Sequence, residues 1–131
     1  MTYTTSRAPA LSTPWGAADH IEPLAGEHGE HLLFADTPGH GGFAVPDEWV
    51  QEHPLARLVK SPSRIRMRDT HWFEEDCGWA ALPLLDKAIC AVLARAFEKD
   101  EESLRDMAMK TTEKYMPEFH RALTKAKTKN T

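Results

Sequence analysis

The chain has 131 residues, of which 41% are hydrophobic and 27% charged, and its formal net charge is −4. This length predicts one domain that buries a core without disulfides or metal ions, and the acidic balance argues against nucleic-acid affinity of the whole surface. The sequence has neither an apolar stretch long enough to span a bilayer nor a secretory signal pattern, so we expect a cytoplasmic protein with no membrane partner. Cys77 and Cys90 lie in an acidic and an apolar setting, and we do not expect them to pair.

The N-terminal third predicts a small antiparallel sheet. Residues 1–13 are rich in Thr, Ser, Ala and Pro and are predicted to form a flexible leader. The apolar runs at 17–24, 30–35 and 42–45 are predicted as three short strands, because turns rich in Gly, Pro and His separate them. Such a meander needs a helix or another sheet on one face to be stable.

The next segment predicts a short helix and a basic stretch. Pro46-Asp47-Glu48 is typical of a helix start, and we expect the helix to end before Pro54. Residues 55–68 then mix apolar residues with five bases and no acids. Their last part, Arg64-Ile65-Arg66-Met67-Arg68, alternates and predicts either a strand or an ordered loop.

The C-terminal half predicts helices. From Glu74 onward apolar residues recur at helical spacing, although Gly78 and Pro83 should bend or split the element. Residues 84–97 are apolar on most faces and are predicted as the central buried helix.

A final helix is predicted over 100–127, kinked or divided at Pro117. The predicted fold class is therefore α+β: a small N-terminal antiparallel sheet of about three strands, followed by a helical C-terminal half. We expect one domain over 14–127 and a tail at 128–131.

Two segments carry unusual chemistry. In the first, His40 stands between Gly39 and Gly41-Gly42, and such a glycine cluster indicates unusual dihedrals or close backbone approach. His40 is then either a base or donor beside an anion, or a residue that hydrogen-bonds within a tight turn.

The second segment, Glu74-Glu75-Asp76-Cys77, lies between two tryptophans. If it begins a helix, Glu74 and Cys77 share one side. A metal site would then join His40, with or without His71, to a carboxylate and Cys77. Otherwise the acids complement a helix dipole and cap free amides. We predict no bound metal and no cofactor.

A catalytic alternative pairs Cys77 as nucleophile with His40, and Glu74 as the carboxylate. A helix N-terminus lowers a thiol pKa, whereas the neighbouring acids raise it, so a small buried side chain is the favoured interpretation. A further alternative is phosphate binding by the basic residues of 57–68, with Trp72 stacking on a base. These bases are Arg57, Lys60, Arg64, Arg66 and Arg68.

Three of these motifs together resemble a family of small uncharacterised proteins carried by plasmids, phages and other mobile elements of bacteria. The motifs are Thr-Pro-Trp-Gly at 13–16, Gly-His-Gly-Gly at 39–42 and aromatic-Glu-Glu-Asp-Cys-x-Trp-Ala at 73–80. The resemblance covers roughly residues 13–82 and leaves the helices from Leu84 onward outside it. It implies no activity, but it implies a genomic context in which accessory proteins often inhibit host defence, including anti-CRISPR and anti-restriction proteins.

Three functions follow as hypotheses, in order of preference. The first is a non-enzymatic inhibitor that binds a host defence complex, with its acids imitating nucleic-acid phosphates. Its expected contact residues are Glu74, Glu75, Asp76, His40, the acidic stretch 98–102, and Trp49 or Trp72 as an aromatic anchor. The second is a small hydrolase or transferase that uses His40, Cys77 and a carboxylate, with or without a metal. The third is a nucleic-acid-binding regulator that uses 57–68.

Overall fold

A computed structural model describes residues 12–25 and 31–129. The first of its two sheets is a ribbon of two short antiparallel strands, β1 (Ser12–Thr13) and β2 (Gly16–Ala17). The second has five antiparallel strands in the order β3-β4-β5-β7-β6. These are β3 (His20–Ala25), β4 (His31–Asp36), β5 (Gly41–Pro46), β6 (Arg64–Met67) and β7 (Thr70–Glu74).

Five α-helices are described: α1 (Asp47–Glu52), α2 (Ala81–Leu85), α3 (Lys87–Ala96), α4 (Glu101–Tyr115) and α5 (Pro117–Lys129). Two 3₁₀ helices accompany them, at Pro54–Leu58 and Gly78–Ala80. None of the helices in this part of the chain is long and apolar enough to cross a membrane.

The two faces of the large sheet pack into different apolar clusters, because successive side chains of a strand point to opposite faces. Phe43 and Val45 of β5 and Phe73 of β7 join the main core, which the helices complete. Ala44 and Trp72, one residue along, belong instead to a smaller cluster on the opposite face, which Trp15 partly covers.

The α+β prediction is confirmed, but the sheet is larger than predicted. The three expected strands correspond to β3, β4 and β5, and the alternating arginines form the strand β6 rather than a loop. The fifth strand, β7, was not predicted. Of the expected leader, only residues 12 and 13 lie within the described chain. The turn between the first two predicted strands lies outside it except for residue 25.

The helix boundaries follow local chemistry. The predicted helix over 84–97 is divided at Asp86, whose carboxylate accepts hydrogen bonds from the Ala88 and Ile89 amides and so caps α3. The expected division of the last helix at Pro117 is confirmed, because α4 ends at Tyr115 and α5 begins at the proline.

Candidate functional site

The glycine turn and the acidic segment are neighbours in space. Gly42 of β5 pairs with Glu74 of β7 in the antiparallel register. One residue farther on, the Glu75 amide donates a hydrogen bond of 2.9 Å to the Gly41 carbonyl. The two segments that stand out in the sequence therefore form one end of the same sheet.

Trp15 brings the third motif to this end. A Cβ atom on Gly42 would lie 2.5 Å from Cη2 of Trp15 and 2.8 Å from the Phe73 carbonyl oxygen, so the indole occupies the space that only a glycine leaves open. The Trp15 ring stacks on His40, with centroids 6.2 Å apart, and meets Trp72 edge-on at 6.0 Å. All three motif segments thus contact one another.

Two threonines fix the turns that present these rings. The Thr13 hydroxyl donates to the Gly16 carbonyl at 2.7 Å and accepts from the Trp15 amide at 3.1 Å. In the same way, the Thr37 hydroxyl donates to the His40 carbonyl at 2.8 Å and accepts from its amide at 3.2 Å. The imidazole of His40 makes none of these turn-forming bonds, so the turn does not need it.

The missing side chain at Gly41 makes room for Glu75. A Cβ atom there would lie 2.9 Å from Oε2 of Glu75, and Gly41 pairs directly with Asp36 of β4. We call the carboxylates gathered here, those of Asp36, Glu75 and Asp76, the acidic rim. Burial, followed by the charges of Asp36 and Asp76, raises the pKa of Glu75.

The acidic rim is available to a partner. Glu75 and Asp76 are exposed and Asp36 is half-buried. Within the described chain, no lysine or arginine forms an ion pair with any of the three. The interaction with the exposed His40 lowers the pKa of Glu75, but burial and the neighbouring carboxylates outweigh it. The rim therefore joins negative charges that its own fold leaves largely uncompensated.

Glu74 has a structural task instead. Its carboxylate accepts hydrogen bonds from the backbone amides of Asp76, Cys77 and Gly78 at 2.9, 2.5 and 2.8 Å. Glu74 ends a strand and the residues after it form a turn, so the prediction that Glu74 and Cys77 share one side of a helix is wrong. The expectation that an acid caps free amides describes Glu74 correctly.

The surroundings of Cys77 do not activate its thiol as a nucleophile. Burial first, and then the charges of Glu74 and Asp76, raise the pKa of its thiol. A raised pKa reduces the thiolate fraction at neutral pH, and the thiolate is the reactive form. With its carboxylate committed to three amides, Glu74 is also a poor general base.

The residues considered for a metal site do not come together in the described part of the chain. Among residues 12–25 and 31–129, no group of three or more His, Cys, Asp and Glu side chains could hold a metal ion. Nε2 of His71 lies 2.7 Å from Oδ1 of Asp47, and Nδ1 lies 2.8 Å from the Arg64 guanidinium. His71 alternates with Trp72 along β7, so it faces away from the Trp15 side of the sheet.

The two proposed aromatic anchors are buried, which corrects the expectation that they could contact a partner. Trp72 is 2% exposed and Trp49 is 9% exposed. The Trp49 indole donates to Asp86 at 2.8 Å and stacks on His53, with centroids 4.3 Å apart. The half-buried Trp15, which sequence reasoning did not select as a contact residue, packs on His40 at the same end of the sheet, on the face opposite to the one where Glu75 lies over Gly41. Its place in the Thr-Pro-Trp-Gly motif is the signal that could have identified it.

The acidic stretch 98–102 is exposed throughout and leads into α4, which Asp100 caps. Its start is anchored by Phe97, whose ring meets those of Phe43 and Trp79 at 6.2 and 5.9 Å.

Fold and site together define an α+β protein in which three glycine-, tryptophan- and acid-containing segments meet at one sheet end. The chain belongs to the family described as Domain of unknown function (DUF7007), whose profile matches residues 8–131. This match includes the helices that follow Leu84. No curated protein and no solved structure gives a significant match.

Proposed function

We propose that this protein is an accessory protein of a bacterial mobile element that inhibits a host defence complex by stoichiometric binding. Inhibition of the anti-CRISPR or anti-restriction type is the form that the resemblance to mobile-element proteins implies. The observation that carries the proposal is the acidic rim, a largely uncompensated group of carboxylates near the exposed His40.

Electrostatics supports a basic partner. Because the pKa of Glu75 is raised, the charged form of this side chain is disfavoured in the free protein. An arginine or lysine placed against Asp36, Glu75 and Asp76 would remove this penalty and gain charge-assisted hydrogen bonds. Channels that hold nucleic-acid phosphates present such cations, and complementary charge also accelerates association.

Binding is favoured over catalysis by the state of the reactive groups. The Cys77 thiol has a raised pKa, and the Glu74 carboxylate is occupied by three amides. The hydrolase or transferase hypothesis needs both groups free to react. The inhibitor hypothesis needs only the exposed side chains of the rim.

The experiment is capture of partners from bacterial cells that express active CRISPR and restriction systems. The bait is the tagged wild-type protein, and the test variant is Asp36→Asn/Glu75→Gln/Asp76→Asn, which removes the rim charge but keeps the Glu74 cap. A matched variant, Asp106→Asn/Glu113→Gln/Glu118→Gln, removes the same charge from exposed positions of α4 and α5 outside the stretch 98–102, and we call it the helix variant.

We expect a defence complex that is captured at a fixed ratio by wild type and by the helix variant, and lost with the rim variant. Equal loss with both variants would mean that only net charge matters. Undiminished capture by the rim variant would overturn the role of the rim. Failure of the wild-type protein to hold any defence complex would overturn the proposed function.

A further inference from the structure

A basic pocket lies on the helix side of the sheet, away from the acidic rim. Its volume is about 390 Å³, and its walls come from α1, the 3₁₀ helix at Pro54–Leu58, β6 and β7. The lining residues are Asp47, Val50, Gln51, Arg57, Arg64, Arg66 and His71. Three guanidinium groups therefore share this pocket with one carboxylate.

The one carboxylate is already committed. Arg66 donates two hydrogen bonds to Asp47, at 3.0 Å from Nε and 2.8 Å from Nη2. This fork, helped by the hydrogen bond from His71, lowers the pKa of Asp47 to about 2. Asp47 thus remains ionised at neutral pH and neutralises Arg66, but it leaves nothing for the other two arginines.

Arg64 is a fixed and unneutralised cation. Its Nε and Nη2 donate to the carbonyls of Val59 and Arg57 at 3.0 and 3.2 Å, and its Nη1 lies 2.8 Å from Nδ1 of His71. All three acceptors are neutral when His71 is neutral. Burial, followed by the charge of Arg64, lowers the pKa of His71 and so favours its neutral form, although Asp47 acts in the opposite direction. Burial and the nearby Arg57 in turn lower the pKa of Arg64.

A partly buried positive charge without a counter-charge is costly, and a bound anion would remove that cost. Three of the five Arg64 N–H groups are used by Val59, Arg57 and His71, which leaves two for an oxyanion. The planar guanidinium of Arg57 can add parallel hydrogen bonds to phosphate oxygens. Arg57 is exposed at the mouth of the pocket, where its side chain can contact such a ligand.

We propose that this pocket binds a phosphoryl group of a small molecule, either inorganic phosphate or the phosphate of a nucleotide, held between Arg57 and Arg64. The volume exceeds that of a phosphate alone and lies within the range of small-molecule sites. This inference is independent of the proposed function, since none of these residues belongs to the acidic rim.

The test measures thermal unfolding of the full chain with inorganic phosphate, adenosine monophosphate or a short single-stranded DNA, against sodium chloride at equal ionic strength. The variants are Arg57→Gln, Arg64→Gln and the matched control Arg68→Gln. Arg68 carries the same charge but is an exposed residue between β6 and β7 and is not part of the pocket lining. Arg57→Gln keeps the backbone carbonyl that Arg64 uses, so it tests the site even if Arg64→Gln does not fold.

At a concentration ten times its dissociation constant, the phosphate or nucleotide should raise the thermal unfolding midpoint of wild type and of Arg68→Gln by roughly 3–6 °C. With Arg57→Gln this rise should fall by at least half. An equal rise in all variants would show general salt exclusion and overturn the proposal. Binding of the oligonucleotide without binding of phosphate or nucleotide would also overturn it, because the ligand would then be a nucleic-acid backbone. A larger response to the nucleotide than to phosphate would identify the nucleotide as the source.

Discussion

Replacing Glu74 by alanine should destabilise the protein more than any other single charge removal at the acidic end of the sheet. The carboxylate holds the turn after β7 through the amides of Asp76, Cys77 and Gly78. The amide of the exposed Asp76 can turn to water, but those of Cys77 and Gly78 are partly buried. Water has little room at Gly78, where an added Cβ would clash with the Ser63 carbonyl oxygen.

The expected cost follows from the two buried donors. Each charge-assisted bond to a partly buried amide contributes about 1–2 kcal/mol, so Glu74→Ala should lower the free energy of unfolding by about 2–4 kcal/mol. Glu74→Gln retains an oxygen that can accept from Cys77 and Gly78, and it should cost about 1 kcal/mol. The assay is equilibrium urea unfolding, with Glu75→Ala as the matched control, because that neighbouring carboxylate accepts none of these bonds. If Glu74→Ala cost no more than Glu75→Ala, the capping account would be refuted.

Three further predictions concern the same end of the sheet. Gly42→Ala places a methyl group against Trp15 and the Phe73 carbonyl, so it should destabilise the protein by about 1–3 kcal/mol and shift its tryptophan emission. Gly39→Ala should do neither, because a Cβ atom at that position has no neighbouring atom within 4 Å. Equal behaviour of the two variants would contradict the packing of Trp15 on Gly42. Because burial and neighbouring charges raise the pKa of Glu75 from its ordinary value of 4.5, Glu75→Gln should slightly stabilise the protein at pH 7. Solvent screens this exposed side chain, so the gain should be less than about 0.5 kcal/mol. The gain should vanish as the pH falls below 4.5, where Glu75 is protonated in both the folded and the unfolded states. A gain that persists at pH 4 in urea unfolding would count against the burial and charge repulsion inferred for Glu75. The raised pKa of Cys77 predicts that iodoacetamide modifies it several-fold more slowly at pH 7.5 than a free cysteine peptide, as mass spectrometry of the modified peptide would show, and faster modification would restore the nucleophile hypothesis.

The parts of the fold that the sequence predicts are those with strong local signals. Proline followed by two acids marks the start of α1, and Pro117 divides the last two helices, because proline constrains the backbone whatever surrounds it. Strand β7 lacks such a signal. Its residues His71, Trp72 and Phe73 are all buried, so the strand shows no alternation and cannot be told from a helix start by periodicity.

The two segments of the candidate site could be identified from the sequence, but the spatial arrangement of their side chains could not. Glycine clusters and adjacent acids identify the segments, since neither is needed for ordinary packing. The different roles of Glu74 and Glu75 depend on the β5–β7 register, which places the Glu74 carboxylate over the following turn and the Glu75 carboxylate over Gly41. The burial of Trp49 and Trp72 depends likewise on the helices and on Trp15, which pack from distant positions in the chain.

Titration of the protein against a fixed amount of the captured defence complex, with the complex's nuclease activity as the readout, tests whether the protein acts by occupying a partner through its acidic rim. We predict inhibition that is complete near one protein per binding site, unchanged for His40→Ala and for Cys77→Ser, and weakened at least tenfold for Asp36→Asn/Glu75→Gln/Asp76→Asn. Complete inhibition at a small fraction of one equivalent, abolished by His40→Ala in a folded protein, would show instead that the protein is a catalyst.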